Sequence, residues 1–270
     1  MKLNNHVQAT LLLASFIWAL VAIQGCETTH VVHVHHGKPV IPESSTPGTP
    51  GTTGTTGEVQ ATATSDPTLL PIDITMILDS SGSMETLTEQ VITSYNDFLE
   101  EQKTVDGEAT VSLVQFNHIY SPVYEGVDLH SANHLNSDNY KASGNTALFD
   151  AIGRAIAETR ERITPGTADV VFVITTDGLE NASQEYSGSQ IKEMIEECES
   201  QYGWHFMYLA ASTDAFNQHT TLGIAGATCY QLAPTTEGWK DSQQLMSIQL
   251  MQYRDSRQKS DLEFRDEDRN

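Results

Sequence analysis

Basic residues are scarce in this sequence. Only 14 Lys and Arg stand against 36 Asp and Glu among 270 residues, which leaves a formal net charge of −22 at pH 7. Proteins that bind phosphate-rich surfaces depend on clustered Lys and Arg. The composition therefore excludes nucleic-acid binding and a peripheral electrostatic contact with anionic membranes. An acidic surface also suits a protein that meets divalent cations.

Cysteine is equally scarce. Three cysteines are too few for a disulfide framework, and they lack the spacing of a zinc site. Cys198 and Cys229 both lie in apolar patterns, so we expect two buried thiols. A disulfide between them is the alternative in an oxidising compartment. The third cysteine, Cys26, belongs to a different part of the chain.

Residues 1–25 have the features of a signal peptide. Lys2 precedes an apolar run at residues 9–23, which is shorter than the roughly 20 residues of a membrane-spanning helix. The run ends in Ile-Gln-Gly-Cys at residues 23–26, which resembles a bacterial lipobox. The resemblance implies cleavage before Cys26, a lipid (palmitate) on that cysteine, and a cell-envelope location on the periplasmic side or the cell surface. An ordinary signal peptide cut nearby and an uncleaved anchor are the alternatives.

Residues 26–68 lack the apolar content of a folded domain. A histidine tract at residues 30–36 could bind a metal ion or serve as a solvated, pH-sensitive spacer. Residues 37–68 are rich in Pro, Gly, Thr and Ser, and such a segment cannot bury enough surface to offset its ordering entropy. We therefore expect an extended, disordered linker between the lipid and the rest of the protein.

Residues 69–259 alternate short apolar runs with amphipathic segments, which is typical of an α/β domain built around a mostly parallel sheet. Strands are predicted at 72–78, 110–116, 119–124, 170–175, 204–210 and 228–232, with helices between and after them. The pattern contains no internal repeat. Residues 260–270 are charged and are predicted to form a frayed tail.

Oxygen-bearing side chains follow the predicted strands. Asp79, Ser81 and Ser83 alternate in the loop after the first strand, Thr146 precedes the clearest helix, and Asp177 ends the strand at 170–175. Because loops at the carboxyl ends of parallel strands converge, these five groups should meet. Carboxylates and hydroxyls are hard ligands that suit Mg²⁺, Ca²⁺ or Mn²⁺. The alternatives are local ones, in which Thr146 caps a helix and the acidic residues form turns.

These three motifs, in this order and spacing, resemble the von Willebrand factor type A domain with its metal-ion-dependent adhesion site. The match runs from about residue 72 to 257, and residues 174–181 look especially like small bacterial members. The resemblance implies a doubly wound, Rossmann-like sheet of six strands in the order 3-2-1-4-5-6, with the third antiparallel and helices on both faces. It also implies that Asp79, Ser81, Ser83, Thr146 and Asp177 hold a divalent cation, with Mg²⁺ favoured over Ca²⁺ and Mn²⁺.

A cation held largely by neutral oxygens should accept a carboxylate from a partner protein, and the start of the helix after Thr146 should favour the incoming anion through its free N–H groups. We therefore expect a non-enzymatic, monomeric binding module. A metal-assisted hydrolase with a loop histidine such as His118 as base is one alternative, although no Gly-x-Ser-x-Gly motif or phosphate loop is present. His130 and His134 lie in comparable loops. An envelope scaffold with a non-functional metal site is the other alternative.

Overall fold

The computed structural model describes residues 69–233 and 235–265. The predicted signal peptide (1–25), the lipidated Cys26, the histidine tract and the linker to residue 68 lie outside these residues. Six strands and five helices follow one another along the described chain: β1 (Ile72–Asp79), α1 (Thr88–Gln102), β2 (Ala109–Phe116), β3 (Tyr120–Asp128), α2 (Leu148–Arg162), β4 (Asp169–Thr176), α3 (Gly188–Glu197), β5 (His205–Ala210), α4 (Thr213–Leu222), β6 (Cys229–Gln231) and α5 (Thr236–Ser256).

The strands form one sheet in the order β3-β2-β1-β4-β5-β6, with β3 the antiparallel member. The predicted fold class and strand order are therefore confirmed. β1 lies at the centre between β2 and β4, and all of its residues are buried. The strand order reverses at β1, so the loops after β1 and β4 flank the crevice where doubly wound folds place their ligands.

Alternation along the central strands divides the apolar core between the two faces of the sheet. In β1, Ile74 and Met76 face the layer formed by α1 and α5, and Ile77 faces the layer formed by α2, α3 and α4. β4 alternates in the same way, with Val173 on the first face and Phe172 on the second. Period-two alternation of apolar residues on both faces is what a sheet covered by helices on each side requires.

The packed domain continues past residue 259, where the sequence pattern ended it. A short 3₁₀ turn at Lys259–Leu262 follows α5, and Leu262 and Phe264 are buried in the core beside that helix. The backbone N–H of Phe264 donates to the carbonyl of Ala227 at 2.8 Å. Two apolar anchors therefore hold a segment whose charged composition predicted fraying. Residues 266–270 lie outside the described chain.

Cys198 and Cys229 are both buried and are not joined by a disulfide, so the expectation of buried thiols holds and the disulfide alternative does not. In the part of the chain that the structure describes, no helix is long and apolar enough to cross a membrane.

Candidate metal centre

Parallel pairing of β1 and β4 brings Asp79 to the centre of the candidate site. Leu78 pairs with Thr175, so the next residues along each strand, Asp79 and Thr176, emerge side by side at the carboxyl edge. Asp79 is 0% exposed. A carboxylate at this depth needs donors on all sides, because an unpaired buried charge is costly.

Neutral groups supply those donors. The backbone N–H of Ser81 donates to Asp79 Oδ1 at 2.6 Å, and Thr176 Oγ1 donates to Oδ2 at 2.6 Å. The buried Tyr140 hydroxyl donates to the Asp79 carbonyl at 2.8 Å and fixes the strand end from the far side. The Asp79 carboxylate is thus oriented by the fold itself.

A chain of hydroxyls connects the loop after Asp79 to the loop that carries Asp177. Ser81 Oγ and Ser83 Oγ are 3.1 Å apart, and Ser83 Oγ donates to Asp177 Oδ1 at 2.6 Å. Ser81 is buried whereas Ser83 is exposed. The donor set therefore extends from the interior to the surface, and it is open on the solvent side.

Thr146 joins the same group from the third loop. A β-carbon built at Gly178 would lie 3.2 Å from Thr146 Oγ1 and 3.7 Å from Ser83 Oγ, so both hydroxyls face one small space that a glycine leaves free. Helix α2 begins at Leu148 with Ala147 as its N-cap, and the N-cap side chain makes no capping hydrogen bond. Thr146 is therefore not the N-cap residue of this helix.

Backbone hydrogen bonds join the loop after Asp79 to the loop before Thr146. Gly82 N–H donates to the Gly144 carbonyl at 2.9 Å, and Ser143 N–H donates to the Ser80 carbonyl at 2.8 Å. Gly144 has a φ of +77°, and a β-carbon there would lie 2.2 Å from His118 Nδ1. Only glycine allows this left-handed turn and the close approach of the imidazole.

The two carboxylates of the site have no basic side chain beside them among the described residues. Burial raises the pKa of Asp79 to about 6, against the lowering effect of its hydrogen bonds from Thr176 and Ser81, and nearby Asp177 raises it further. Burial likewise raises the pKa of Asp177. Among the described residues, no Lys, Arg or His forms an ion pair with either carboxylate. A bound cation would offset the cost of burying these two negative charges.

One expectation about the helix start is wrong. The N–H groups of Thr146, Ala147, Phe149 and Asp150 donate to protein acceptors, namely Asn181 Oδ1, the Asn117 carbonyl, Glu180 Oε2 and Ser183 Oγ. These N–H groups are not free to receive an anion from a partner, because the segment after Asp177 occupies three of them and the Asn117 carbonyl occupies the fourth.

The three loop histidines differ in their relation to the site. His118 lies over Gly144 and borders the site, whereas His134 contacts Glu100 at 2.8 Å on the surface and His130 is exposed elsewhere. A cavity of about 500 Å³ adjoins the donor group; its lining is polar and comprises His118, Asn145, Asp150, Arg154, Asn181, Ala182, Gln184 and Glu185. The surface beside the candidate metal position is therefore concave.

The donor set fits a hard cation. It offers two carboxylates and three hydroxyls around the space beside Gly178, and oxygen ligands of this kind suit Mg²⁺, Mn²⁺ or Ca²⁺. Within residues 69–233 and 235–265, no three His, Cys, Asp or Glu side chains form a cluster that could hold a metal. A cation in this site would rely on the hydroxyls as well as on Asp79 and Asp177.

The sequence pattern did not identify several residues that shape the site. Thr176 and Tyr140 orient Asp79, and Glu180 and Asn181 bind the loop that carries Thr146. Glu180 and Asn181 fall within residues 174–181, a stretch that resembles small bacterial members of the family but whose sequence assigns no role to these two residues. Tyr140 belongs to none of the three motifs, so only the folded structure reveals its contact with Asp79.

A doubly wound sheet with this oxygen-rich crevice defines the class of protein, and comparison with known families agrees. The model of the von Willebrand factor type A domain family matches residues 73–247, well over half of the chain. The chain belongs to this family. A search of the curated proteins found no match.

Solved structures share the fold at low sequence identity. The pilus adhesin SpaC from Lactobacillus rhamnosus GG is 14% identical with a TM-score of 0.54, covering 68% of this chain and 30% of its own. A von Willebrand factor type A protein from Catenulispora acidiphila is 14% identical with a TM-score of 0.46, covering 68% and 43%. Manganese-loaded TRAP from Plasmodium vivax is 15% identical with a TM-score of 0.46, covering 65% and 72%. This chain spans less than half of the first two proteins, and at these identities the likeness concerns the fold alone.

Proposed function

We propose that this protein is a cell-envelope lipoprotein whose von Willebrand factor type A domain binds a partner protein through a divalent cation. Asp79, Ser81, Ser83, Thr146 and Asp177 would hold the cation, with Mg²⁺ as the favoured ion. When bound, it would supply a Lewis-acid position for a carboxylate of the partner. The protein acts by binding and catalyses no reaction.

The observation that carries this proposal is the unbalanced charge of the site. Asp79 and Asp177 accept hydrogen bonds from neutral donors only, and burial raises the pKa of both. A fold that needed these carboxylates for stability alone would pair them with a basic side chain, as β1 does at its other end with Arg162. The missing positive charge is what a divalent cation provides.

The partner side of the site is open. Ser83 is exposed, and the adjoining polar cavity offers room for side chains that flank a partner carboxylate. The net charge of −22 opposes an acidic partner at long range. Screening confines that opposition to roughly 8–10 Å at physiological salt, so a short-range bridge through the cation can overcome it. Domains of this family often mediate metal-dependent protein binding, which agrees with the proposal.

Metal binding is tested by titrating the isolated domain with Mg²⁺ and Mn²⁺ by calorimetry. Asp79→Ala should lose measurable affinity, because two hydroxyls hold a hard cation poorly without their carboxylate. Thr146→Ala should keep part of it. Asn145→Ala is the matched control, since this neighbour of Thr146 is exposed and is not one of the five proposed ligands. Equal affinity in all four proteins would contradict the assignment of the ligands.

Partner binding is tested by a pull-down from the native envelope with and without chelator. Captured protein should disappear in chelator, in Asp79→Ala and in Thr146→Ala, and an excess of a carboxylate-bearing peptide should compete with it. Capture that survives all three treatments would eliminate the metal bridge. A metal-dependent turnover of ester, phosphate or peptide substrates that vanishes in His118→Ala would instead establish the hydrolase alternative.

The envelope location rests on the lipobox and has its own test. Cys26→Ala removes the one thiol that would carry the lipid, so the protein should accumulate as unprocessed precursor or leave the membrane fraction. Membrane association of the variant at the mature size would refute the lipoprotein assignment without affecting the metal site.

A further inference from the structure

The residues after Asp177 are bonded to the loop that carries Thr146. The Thr146 N–H donates to Asn181 Oδ1 at 3.0 Å, and the Thr146 carbonyl accepts from the N–H groups of Asn181 and Ala182 at 3.0 and 3.2 Å. Both backbone polar groups of Thr146 are thus taken by one neighbouring segment. The φ and ψ angles that set the direction of the Thr146 hydroxyl lie between these two anchors.

Glu180 extends this attachment to the first turn of α2. Its Oε2 accepts from the Phe149 N–H at 3.0 Å and from Ser183 Oγ at 2.7 Å. Its Oε1 accepts from the N–H groups of Ala182 and Ser183 at 2.8 and 2.7 Å. One carboxylate therefore closes its own turn and caps the helix that follows Thr146, with the sign of charge that a helix N-terminus favours.

Asp150, in the first turn of α2, accepts hydrogen bonds from the segment after Asp177. Its Oδ2 accepts from the Gln184 N–H at 2.8 Å, and its Oδ1 accepts from the N–H groups of Glu185 and Tyr186 at 2.9 Å each. The Asp150 N–H in turn donates to Ser183 Oγ at 3.1 Å. Hydrogen bonds between the two segments thus run in both directions.

We propose that residues 180–186 are a positioning segment for the metal site, with Asn181 as the residue that places Thr146. This inference rests on the proposed function, because it assigns a role toward a cation ligand. Neither Asn181 nor Glu180 touches the space beside Gly178 where the donors meet. They act through Thr146, and mutation of groups that orient a ligand in this way typically lowers metal affinity by about 10–100-fold.

The arrangement also restricts how the site can change. Thr146 cannot shift towards or away from a cation unless residues 180–186 move with it or release it. That segment is connected onward, since the Glu180 N–H donates to Gln218 Oε1 on α4 at 3.3 Å. A change at Thr146 on partner binding should therefore be felt along residues 180–186.

Hydrogen exchange of the Thr146 amide tests the placement directly, and it does so without metal. In Asn181→Ala the Thr146 N–H loses its acceptor and should exchange about 10-fold faster. Asn181→Asp retains an oxygen acceptor and should restore slow exchange. Asn133→Ala, at an exposed asparagine in another loop, should match the wild type. Unchanged Thr146 exchange in Asn181→Ala, with the thermal midpoint also unchanged, would overturn the proposal.

Metal titration of the same variants supplies the functional readout. Asn181→Ala should bind Mg²⁺ and Mn²⁺ about 10-fold more weakly than wild type, while Asn133→Ala binds normally. A purely structural role would instead lower the thermal midpoint and leave affinity intact, which would overturn the proposal. If the wild type itself binds neither ion, the proposed function fails, and Thr146 exchange still decides whether Asn181 places that residue.

Discussion

Strand β1 carries a buried carboxylate near each end, and the two have opposite surroundings. Asp73, at the amino end, is 0% exposed and is held bidentately by the guanidinium of Arg162, with Thr110 Oγ1 donating to it at 2.6 Å. Asp79, at the carboxyl end, is equally buried and receives hydrogen bonds only from neutral groups. We call the Asp73 end of β1 the balanced end, because a basic side chain pairs with its carboxylate, and the Asp79 end the unbalanced end, because none does.

This difference distinguishes a carboxylate that stabilises the fold from one that is suited to bind a metal ion. A buried carboxylate with a basic partner is complete, and removing the partner leaves an uncompensated charge. A buried carboxylate without a basic partner is incomplete until a cation arrives. The balanced end joins α2 to the sheet, and the unbalanced end belongs to the candidate metal centre.

The largest effect should come from breaking the balanced end. Arg162→Met leaves Asp73 buried and unpaired, which should lower the free energy of unfolding by about 3 kcal/mol, near the low end for buried pairs because the Arg162 side chain is 25% exposed. Chemical denaturation measures the change. The Asp73→Asn/Arg162→Met double variant should recover part of the loss, since it leaves no unpaired charge. A loss below 1 kcal/mol in the single variant would show that the pair is dispensable.

At the unbalanced end, the neutral replacement Asp79→Asn should have little effect on the stability of the metal-free protein, because it removes a buried charge that lacks a partner. Its effect should appear on adding Mg²⁺. At 100 times the dissociation constant, the wild type should gain about 2.7 kcal/mol and the variant nothing. Denaturation with and without Mg²⁺ measures both quantities. An Asp79→Asn protein that is destabilised as strongly as Arg162→Met, with no Mg²⁺ effect in either protein, would make the two ends equivalent.

Sequence reasoning could predict the unbalanced end better than the balanced one. Asp79, Ser81 and Ser83 lie within five residues, and the periodicity of the strands places Thr146 and Asp177 at the same edge. The partner of Asp73 is 89 residues away on α2, and nothing local to either residue indicates the pairing. The contacts of Tyr140 and Asn181 depend likewise on how loops cross. Local motifs and strand order are therefore accessible from sequence, and long-range side-chain partnerships are not.

The same limit explains the two expectations that changed. The N–H groups at the start of α2 looked free because their acceptors, Glu180 and Asn181, come more than 30 residues later. The tail after residue 259 looked frayed because charge dominates its composition. Leu262 and Phe264 nevertheless find apolar surface beside α5.

The third prediction concerns a base at the amino edge of the sheet. Burial lowers the pKa of His205 to about 4, and Lys259 lowers it further; the ring packs edge-on against Tyr253 at 5.2 Å and its Nδ1 is buried without a partner. Between pH 6.5 and 4 His205 is protonated in the unfolded chain but neutral in the folded chain. The contribution of neutral His205 to the free energy of unfolding is therefore fully present above about pH 6.5 and decreases as the pH falls towards 4.

His205→Phe keeps the ring contact and removes the titration. It should reduce the loss of stability between pH 7 and pH 4 by on the order of 2 kcal/mol relative to wild type. The difference between the two proteins is the quantity to measure, because Asp79 and Asp177, whose pKa values are raised, contribute with the opposite sign in both. Parallel pH profiles for the two proteins would show that His205 carries no such penalty.

The smallest effect should come from an ion pair with the same chemistry as Arg162 and Asp73 but in water. Arg154 and Glu185, at the edge of the cavity beside the metal site, leave 42% and 48% of their side chains exposed. Solvent screens such a pair and its side chains lose entropy on pairing, so Arg154→Gln should cost less than about 1 kcal/mol. Added NaCl should abolish this difference, whereas the cost of Arg162→Met should persist, because a partly buried pair is screened much less. If Arg154→Gln proved as costly as Arg162→Met and insensitive to salt, burial would not be what distinguishes the balanced end of β1, and the inference drawn from the unpaired Asp79 would lose its basis.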